Sequence, residues 1–452
     1  MSLLDDRSLP VLTAIVNPSL EAALVAGFGS HDLGVTVVRR CVDLVELMAA
    51  AAAGTARVAL LSADLRGLDR EALAHLGAYG LSVVGLADTE AGERLLHQLG
   101  ADLVVTAAAS PEQVAGAMLA AADAGPGREQ PGRPVPADAE VESDEAPTGG
   151  HVIAVWGPAG APGRSTISLG IADSLAARGV SALLIDGDPY GGTLASYAGL
   201  LDESPGIAAA CRAANAGLLD VPRLAECCLQ LSARLRILTG LSHPARWPEL
   251  RPASLERVIE LARRLAAVTV VDTGFCLEDD EELSYDTLAP RRNAATLSSL
   301  RCADQVVVVG SSDPAGLARL ARDLPRLAEV LEAPLAELSR SGRVTVVVNR
   351  LRTGLVAGNP LKGVTLATQK YTGVAPTHQI PFDLAAADAT HGRGQLLSEA
   401  APNSALRRSI GQLTEVLWPP VPVVTDPPKT GRWRRIPPGR PSPAKSKDLA
   451  GR

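Results

Sequence analysis

The chain reads as α/β throughout: two doubly wound units of mostly parallel sheet, joined by a linker. Three observations lead there. Short runs of valine, leucine and isoleucine alternate with alanine-rich stretches of helical length, over residues 1–123 and again over 151–418. In the second unit those runs are apolar almost without a break, as in parallel strands covered on both faces. Between the units, residues 124–150 are rich in Pro, Gly and Glu and poor in aliphatics, a composition that stays solvated.

In the first unit the strands expected are Val11–Val16, Val35–Val38, Val58–Leu61, Leu81–Leu86 and Leu103–Thr106. Five strand–helix steps of this length suggest a flavodoxin-like doubly wound sheet. The arrangement resembles the receiver domains of response regulators, but their chemistry is missing. A receiver has acids after its first strand, an aspartate ending its third and a lysine after its fifth. Here those places hold Asn17-Pro18, Ser62 and the run Ala107 to Pro111, and Asp64 lies two residues beyond the phosphoacceptor place. A pseudo-receiver that docks partners, and takes no phosphoryl group, is the expectation.

The second unit offers strands at Ala182–Asp186, Leu235–Leu238, Val268–Asp272, Gln305–Val309 and Val344–Asn349. With 46% hydrophobic but only 3% aromatic residues, both cores must be aliphatic. A net charge of −7 argues against specific nucleic-acid binding. No charged-then-apolar leader and no apolar run of about 18 residues is visible, so a soluble cytoplasmic protein is expected. The six cysteines lack metal or redox spacing and the seven histidines show no paired spacing. Past Pro419 the chain is basic, with Trp433 among arginines, and its prolines recur too closely for a long helix. That stretch reads as a disordered tail, with peripheral contact to anionic lipid as the most it could offer a membrane.

Residues 157–166, GPAGAPGRST, follow the apolar run His151–Trp156 and precede a helical pattern from Ser165. Strand, glycine loop, helix is the order of a phosphate-binding loop. There the backbone N–H groups and helix N-terminus face the phosphates and a cation reaches the β and γ oxygens. Laid on GxxxxGK[ST], Gly163 is the second glycine, Arg164 takes the lysine place and Ser165 the magnesium-hydroxyl place; Pro158 stands at the first glycine. Gly160 and Thr166 complete the cradle. Two apolar runs ending in acids follow, at Asp186 and Asp272, where carboxylates could hold the water shell of Mg²⁺ beside Ser165.

The ordered set GPAGAPGRST, LLIDGDPYGG, VTVVDTG, VVVNR and QIPFD resembles the MinD/ParA superfamily of deviant Walker ATPases, over essentially all of 151–418. With the module in front, the chain is similar to CpaE/TadZ proteins of type IV (Flp/Tad) pilus systems. The resemblance implies a P-loop NTPase domain with ATP and Mg²⁺, a homodimer formed through the loop face, and pilus or division machinery recruited by the first unit at a pole or septum. It also implies roles: Asp188 positioning water, Asp272 as the Walker B acid, Asn349 hydrogen-bonding adenine, and Pro381 to Asp383 walling the base.

The departures bear on activity. The superfamily's signature lysine falls at Ala159 and its Walker lysine at Arg164; no lysine precedes Lys362. Guanidinium is longer, planar and forked, and does not substitute simply for ammonium. Pro158 and Pro162 each withdraw an N–H from the cradle. Arg291 and Arg292, beyond the acidic stretch from Glu278, are candidates for a replacement phosphate contact. Weak or absent hydrolysis is expected. An active ParA/MinD-type ATPase and a scaffold that no longer binds nucleotide stay open as alternatives.

Overall fold

The structure is a computed structural model that describes residues 8–31, 33–126, 149–160, 162–200, 206–279, 290–352, 354 and 359–419. All but the ends of the expected linker, and the basic tail beyond residue 419, lie outside the described residues, as does 280–289 of the acidic stretch. No helix among the described residues is long and apolar enough to cross a membrane.

The first sheet comprises β1 (Leu9–Ala14), β2 (Val35–Arg40), β3 (Val58–Ser62), β4 (Ser82–Ala87) and β5 (Leu103–Thr106). They run in the order β2-β1-β3-β4-β5, with all pairs parallel. This is the flavodoxin-like order, in keeping with the strand–helix rhythm of the sequence. Strand alternation sorts the core: Leu12, Ala14, Ala59 and Leu61 face one cluster with Leu47 and Leu96, while Val11, Val58 and Leu60 face another with Phe28 and Met118. β1 lies two residues earlier than its apolar run suggests. Asn17 caps the helix Pro18–Ser30, accepting from the Ser19 and Leu20 N–H groups, so the strand must end first and Val16 is left half exposed. At the edge where a receiver keeps its acids, the Ser62 hydroxyl instead accepts from the Val16 N–H at 3.1 Å.

The second sheet comprises β6 (His151–Trp156), β7 (Ala182–Gly187), β8 (Leu229–Ser232), β9 (Leu235–Leu238), β10 (Val268–Thr273), β11 (Gln305–Ser311), β12 (Val344–Leu351) and β13 (His378–Pro381). Its order is β13-β12-β11-β6-β10-β7-β9-β8, parallel except for the β8–β9 pair. Each long strand is buried on both faces. Val152, Ala154 and Trp156 pack with the helices Gly206–Asn215, Pro252–Leu265 and Pro314–Val330, while Ile153 and Val155 pack with Arg164–Ala177 and Ala405–Leu417. β8 and β13 escape the sequence reading because both are short edge strands with most side chains partly in water.

The layers of the two sheets meet at the helices Arg70–Ala78 and Pro252–Leu265. There Asn215 Nδ2 donates to Asp69 Oδ2 at 2.9 Å and Arg251 lies 3.4 Å from the same oxygen.

Candidate functional site

Parallel order puts the C-terminal ends of β6, β7, β10, β11 and β12 along one edge, and the residues with motif positions gather there. After Trp156 the chain turns through the glycine loop into the helix Arg164–Ala177. Gly157 lies so close to β11 that a Cβ would sit 2.3 Å from the Val309 carbonyl oxygen. Gly160 and Gly163 take φ of 103° and 100°, a region that costs other residues strain. Gly163 stands at the N-cap and no side chain caps the helix, which leaves its first-turn N–H groups facing the loop mouth.

A serine joins the loop helix to β10. The Ser168 hydroxyl donates to Asp272 Oδ1 at 2.9 Å, with the Arg164 carbonyl as a second acceptor at 3.0 Å, and the Ser165 hydroxyl lies near enough to favour the charged form of Asp272. Of the two acids expected beside Ser165, Asp272 is thus the one joined to the loop helix. Ser168 holds no motif position; its place one helical turn after Arg164 is the signal that points to it.

Arg164 does not extend to the loop mouth. Its Nη1 donates back to the Gly157 carbonyl at 2.9 Å and its Nη2 lies 3.3 Å from Asp188 Oδ2, with both side chains nearly enclosed. Its Nε is buried with no hydrogen-bond partner among the described residues. Asp188 Oδ1 accepts from the Tyr190 N–H at 2.9 Å. Asp188 is thus the counterion of the loop arginine.

Asp186 sits behind these two. Its carboxylate accepts from the Leu194 N–H at 3.1 Å and from the Asp188 N–H at 3.4 Å. A Cβ on Gly240 would fall 2.5 Å from its carboxyl carbon, and one on Gly192 would fall 2.8 Å from Oδ2, so backbone encloses it. Burial first, and then the Asp272 charge, push its carboxyl well above the usual carboxylate range. Burial also raises Asp272, against the Ser165 and Ser168 hydroxyls and the Arg164 charge, and raises Asp188 despite its ion pair.

These shifts set a pH dependence. A raised carboxyl keeps its proton in the folded chain where the unfolded chain has released it, so unfolding releases protons. Stability is expected to fall as pH rises from the ordinary 3.8 through the raised range of this pair. The steepest slope is about 1.4 kcal/mol per pH unit for each proton. Urea midpoints at pH 5 and pH 8 should lie further apart in the wild type than in Asp186→Asn; equal separations would contradict the assignment.

Asn349, at the end of β12, donates from Nδ2 to the Pro162 carbonyl at 2.8 Å. β12 is irregular there: its pairing with β13 jumps from Val348 to Leu351, and Arg350 takes a φ of 59°. This amide thus braces the loop from below. Asp383 is committed to helix ends, accepting from Ala386 N–H at 3.2 Å and Ala405 N–H at 3.1 Å, and Pro381 closes β13 beside it. Of the two candidate arginines, Arg291 pairs with Asp279 at 2.8 Å. Arg292 lies over the Tyr190 ring, 4.2 Å from its centre, within a small latch. Tyr190 packs on Phe275 and donates to Asn293 Oδ1 at 2.6 Å; the Phe275 carbonyl accepts from the Trp156 indole at 3.1 Å. Neither arginine reaches the glycine loop by a described contact, but the latch joins the segments after β6, β7 and β10.

No family model matches the chain, and no curated protein matches it. Among solved structures, it is similar to a ParA family ATPase from Chlorobium tepidum TLS, with 20% identity and a TM-score of 0.48, covering 58% of this chain and 98% of the other. The cell division ATPase MinD of Pyrococcus furiosus matches at 17% identity and TM-score 0.44, over 59% and 98% of the two chains. The septum site-determining protein MinD of Pyrococcus horikoshii OT3, solved with Mg-ADP, matches at 16% identity and TM-score 0.44, over 60% and 96%.

Proposed function

We propose that the chain is a nucleotide-responsive positioning or assembly factor of the CpaE/TadZ type. It takes Mg·ATP at the glycine loop and hydrolyses it slowly or not at all. It pairs with a second copy through the loop face and docks pilus or septum machinery through its first sheet. The observation that carries this reading is the pairing of Arg164 with Asp188 beside the Ser168–Asp272 bond that ties the loop helix to β10. Residues that would seat phosphate and ion stand beside one another, whereas Arg164 and Asp188, the cation and the acid that the resemblance assigns to the chemistry, neutralise one another.

The donor set suits a polyphosphate. Gly163, Arg164, Ser165 and Thr166 present helix-terminal N–H groups, and Gly160 and Gly163 let the Arg319 and Asn349 side chains close on the loop. Among the described residues no three His, Cys, Asp or Glu side chains are grouped to hold a metal by themselves. Ser165 and Asp272 would hold Mg²⁺ with phosphate oxygens and water as the other ligands, Asp186 backing them. When bound, the ion supplies positive charge to the phosphates.

Calorimetric titration with Mg·ATP and Mg·ADP, followed by phosphate release from the same sample, tests the reading. Binding with release near background is expected. Turnover well above background would favour an active ParA/MinD-type ATPase, and silence towards both nucleotides would leave a scaffold.

A further inference from the structure

The helix Pro314–Val330 follows β11, which pairs with the strand leading into the glycine loop, so its first turns stand beside that loop. Arg319 on this helix lies against Gly160. A Cβ built on Gly160 would fall 2.1 Å from Arg319 Nη1 and 3.0 Å from its Cζ, so only glycine lets the guanidinium approach so closely. The neighbouring arginines of the same helix are committed: Arg322 pairs with Asp323 at 2.7 Å and Arg326 with Glu278 at 3.1 Å. Asp313, at the start of the helix, is occupied by the Gly316 N–H at 2.9 Å and the Ser311 hydroxyl. Arg319 has no ion pair among the described residues and is exposed to water.

The loop therefore has two cations with opposite circumstances. Arg164 is enclosed and neutralised by Asp188. Arg319 is uncompensated and rests on the glycine that opens the cradle. An exposed guanidinium without a carboxylate is the better donor to an incoming oxyanion, because nothing must be broken before it binds.

We propose that Arg319 supplies the phosphate-binding cation of this loop, donating to the terminal phosphate oxygens of a nucleoside triphosphate in place of the withheld Arg164. The inference rests on the nucleotide reading above and adds a residue that no motif marks. It lies 155 positions beyond Arg164 and joins the site only through sheet order.

The test is calorimetric titration of Mg·ATP into the wild-type chain, Arg319→Ala, Arg319→Lys and Arg322→Ala, at low and high salt. Arg319→Ala should weaken binding about 10- to 100-fold, the range of a charge-assisted hydrogen bond. It should also flatten the salt dependence and leave the thermal midpoint in place, since the side chain is exposed. Arg319→Lys should recover part of the affinity and Arg322→Ala should stay within about twofold of wild type. Arg319→Ala binding within about twofold of wild type overturns the role of Arg319 while the nucleotide reading stands. An equal loss in Arg322→Ala overturns it too, since general surface charge would then account for the effect. A wild-type chain that does not bind Mg·ATP overturns the nucleotide reading, and this inference with it.

Discussion

Asp188→Asn should bind Mg·ATP about tenfold more tightly than the wild-type chain, although it removes a carboxylate that the family resemblance assigns to hydrolysis. In this structure that carboxylate lies 3.3 Å from the Arg164 guanidinium and holds it back in the loop. Two unit charges at about 4 Å attract by roughly 4 kcal/mol at an effective dielectric of 20, so the pair competes seriously with phosphate for the arginine. Asparagine retains an oxygen for the Tyr190 N–H and loses the charge. The arginine is then released, and one negative group is removed from the path of an anion. A net gain of about 1.4 kcal/mol gives the tenfold change. Weaker binding in the calorimeter would mean that Asp188 helps to seat the ligand.

Gly163→Ala should abolish measurable Mg·ATP binding and lower stability by about 2–5 kcal/mol. At a φ of 100° a Cβ is strained, and here it would lie 2.4 Å from Asn349 Nδ2. Relief of that clash requires breaking the buried bond from Asn349 to the Pro162 carbonyl, and the loop loses its brace. Gly191→Ala is the control, because a Cβ there meets nothing within 4 Å. Denaturant melts and titrations of both variants give the comparison. A Gly163→Ala chain as stable and as active in binding as Gly191→Ala would refute the loop geometry.

The strands were legible in the sequence because parallel strands buried on both faces need uninterrupted aliphatic runs, a pattern that few elements besides them require. The edge strands β8 and β13, four residues each with half-wet side chains, carry no such pattern. Within the site, the run ends marked both Asp186 and Asp272 as acids near Ser165, and only the resemblance singled out Asp272, the one bonded to the loop helix through Ser168. What spacing could not convey was the use of each donor. Arg164 stands where a lysine is expected, yet it folds back on Asp188, as only the enclosed geometry reveals. Asn349 reads as a base-binding amide, but a local irregularity in β12 places its N–H₂ against the loop. Arg292, a candidate phosphate contact by its position, has an aromatic ring beneath it instead, and Tyr190 is fixed by partners from other segments. Such contacts join residues a hundred positions apart and leave no periodic trace.

Phosphate release at saturating Mg·ATP, compared between the wild-type chain and Arg164→Lys, is the most direct probe of whether guanidinium withdrawal silences an otherwise assembled loop. An ammonium on a shorter, unforked stem cannot hold the Gly157 carbonyl and Asp188 together as the guanidinium does, and is freer to meet the phosphates. The rate should rise at least about tenfold, the scale of gain that one well-placed cation brings to phosphoryl transfer. An unchanged background rate in a lysine variant that binds Mg·ATP normally would show that the arginine is not what holds the chemistry back.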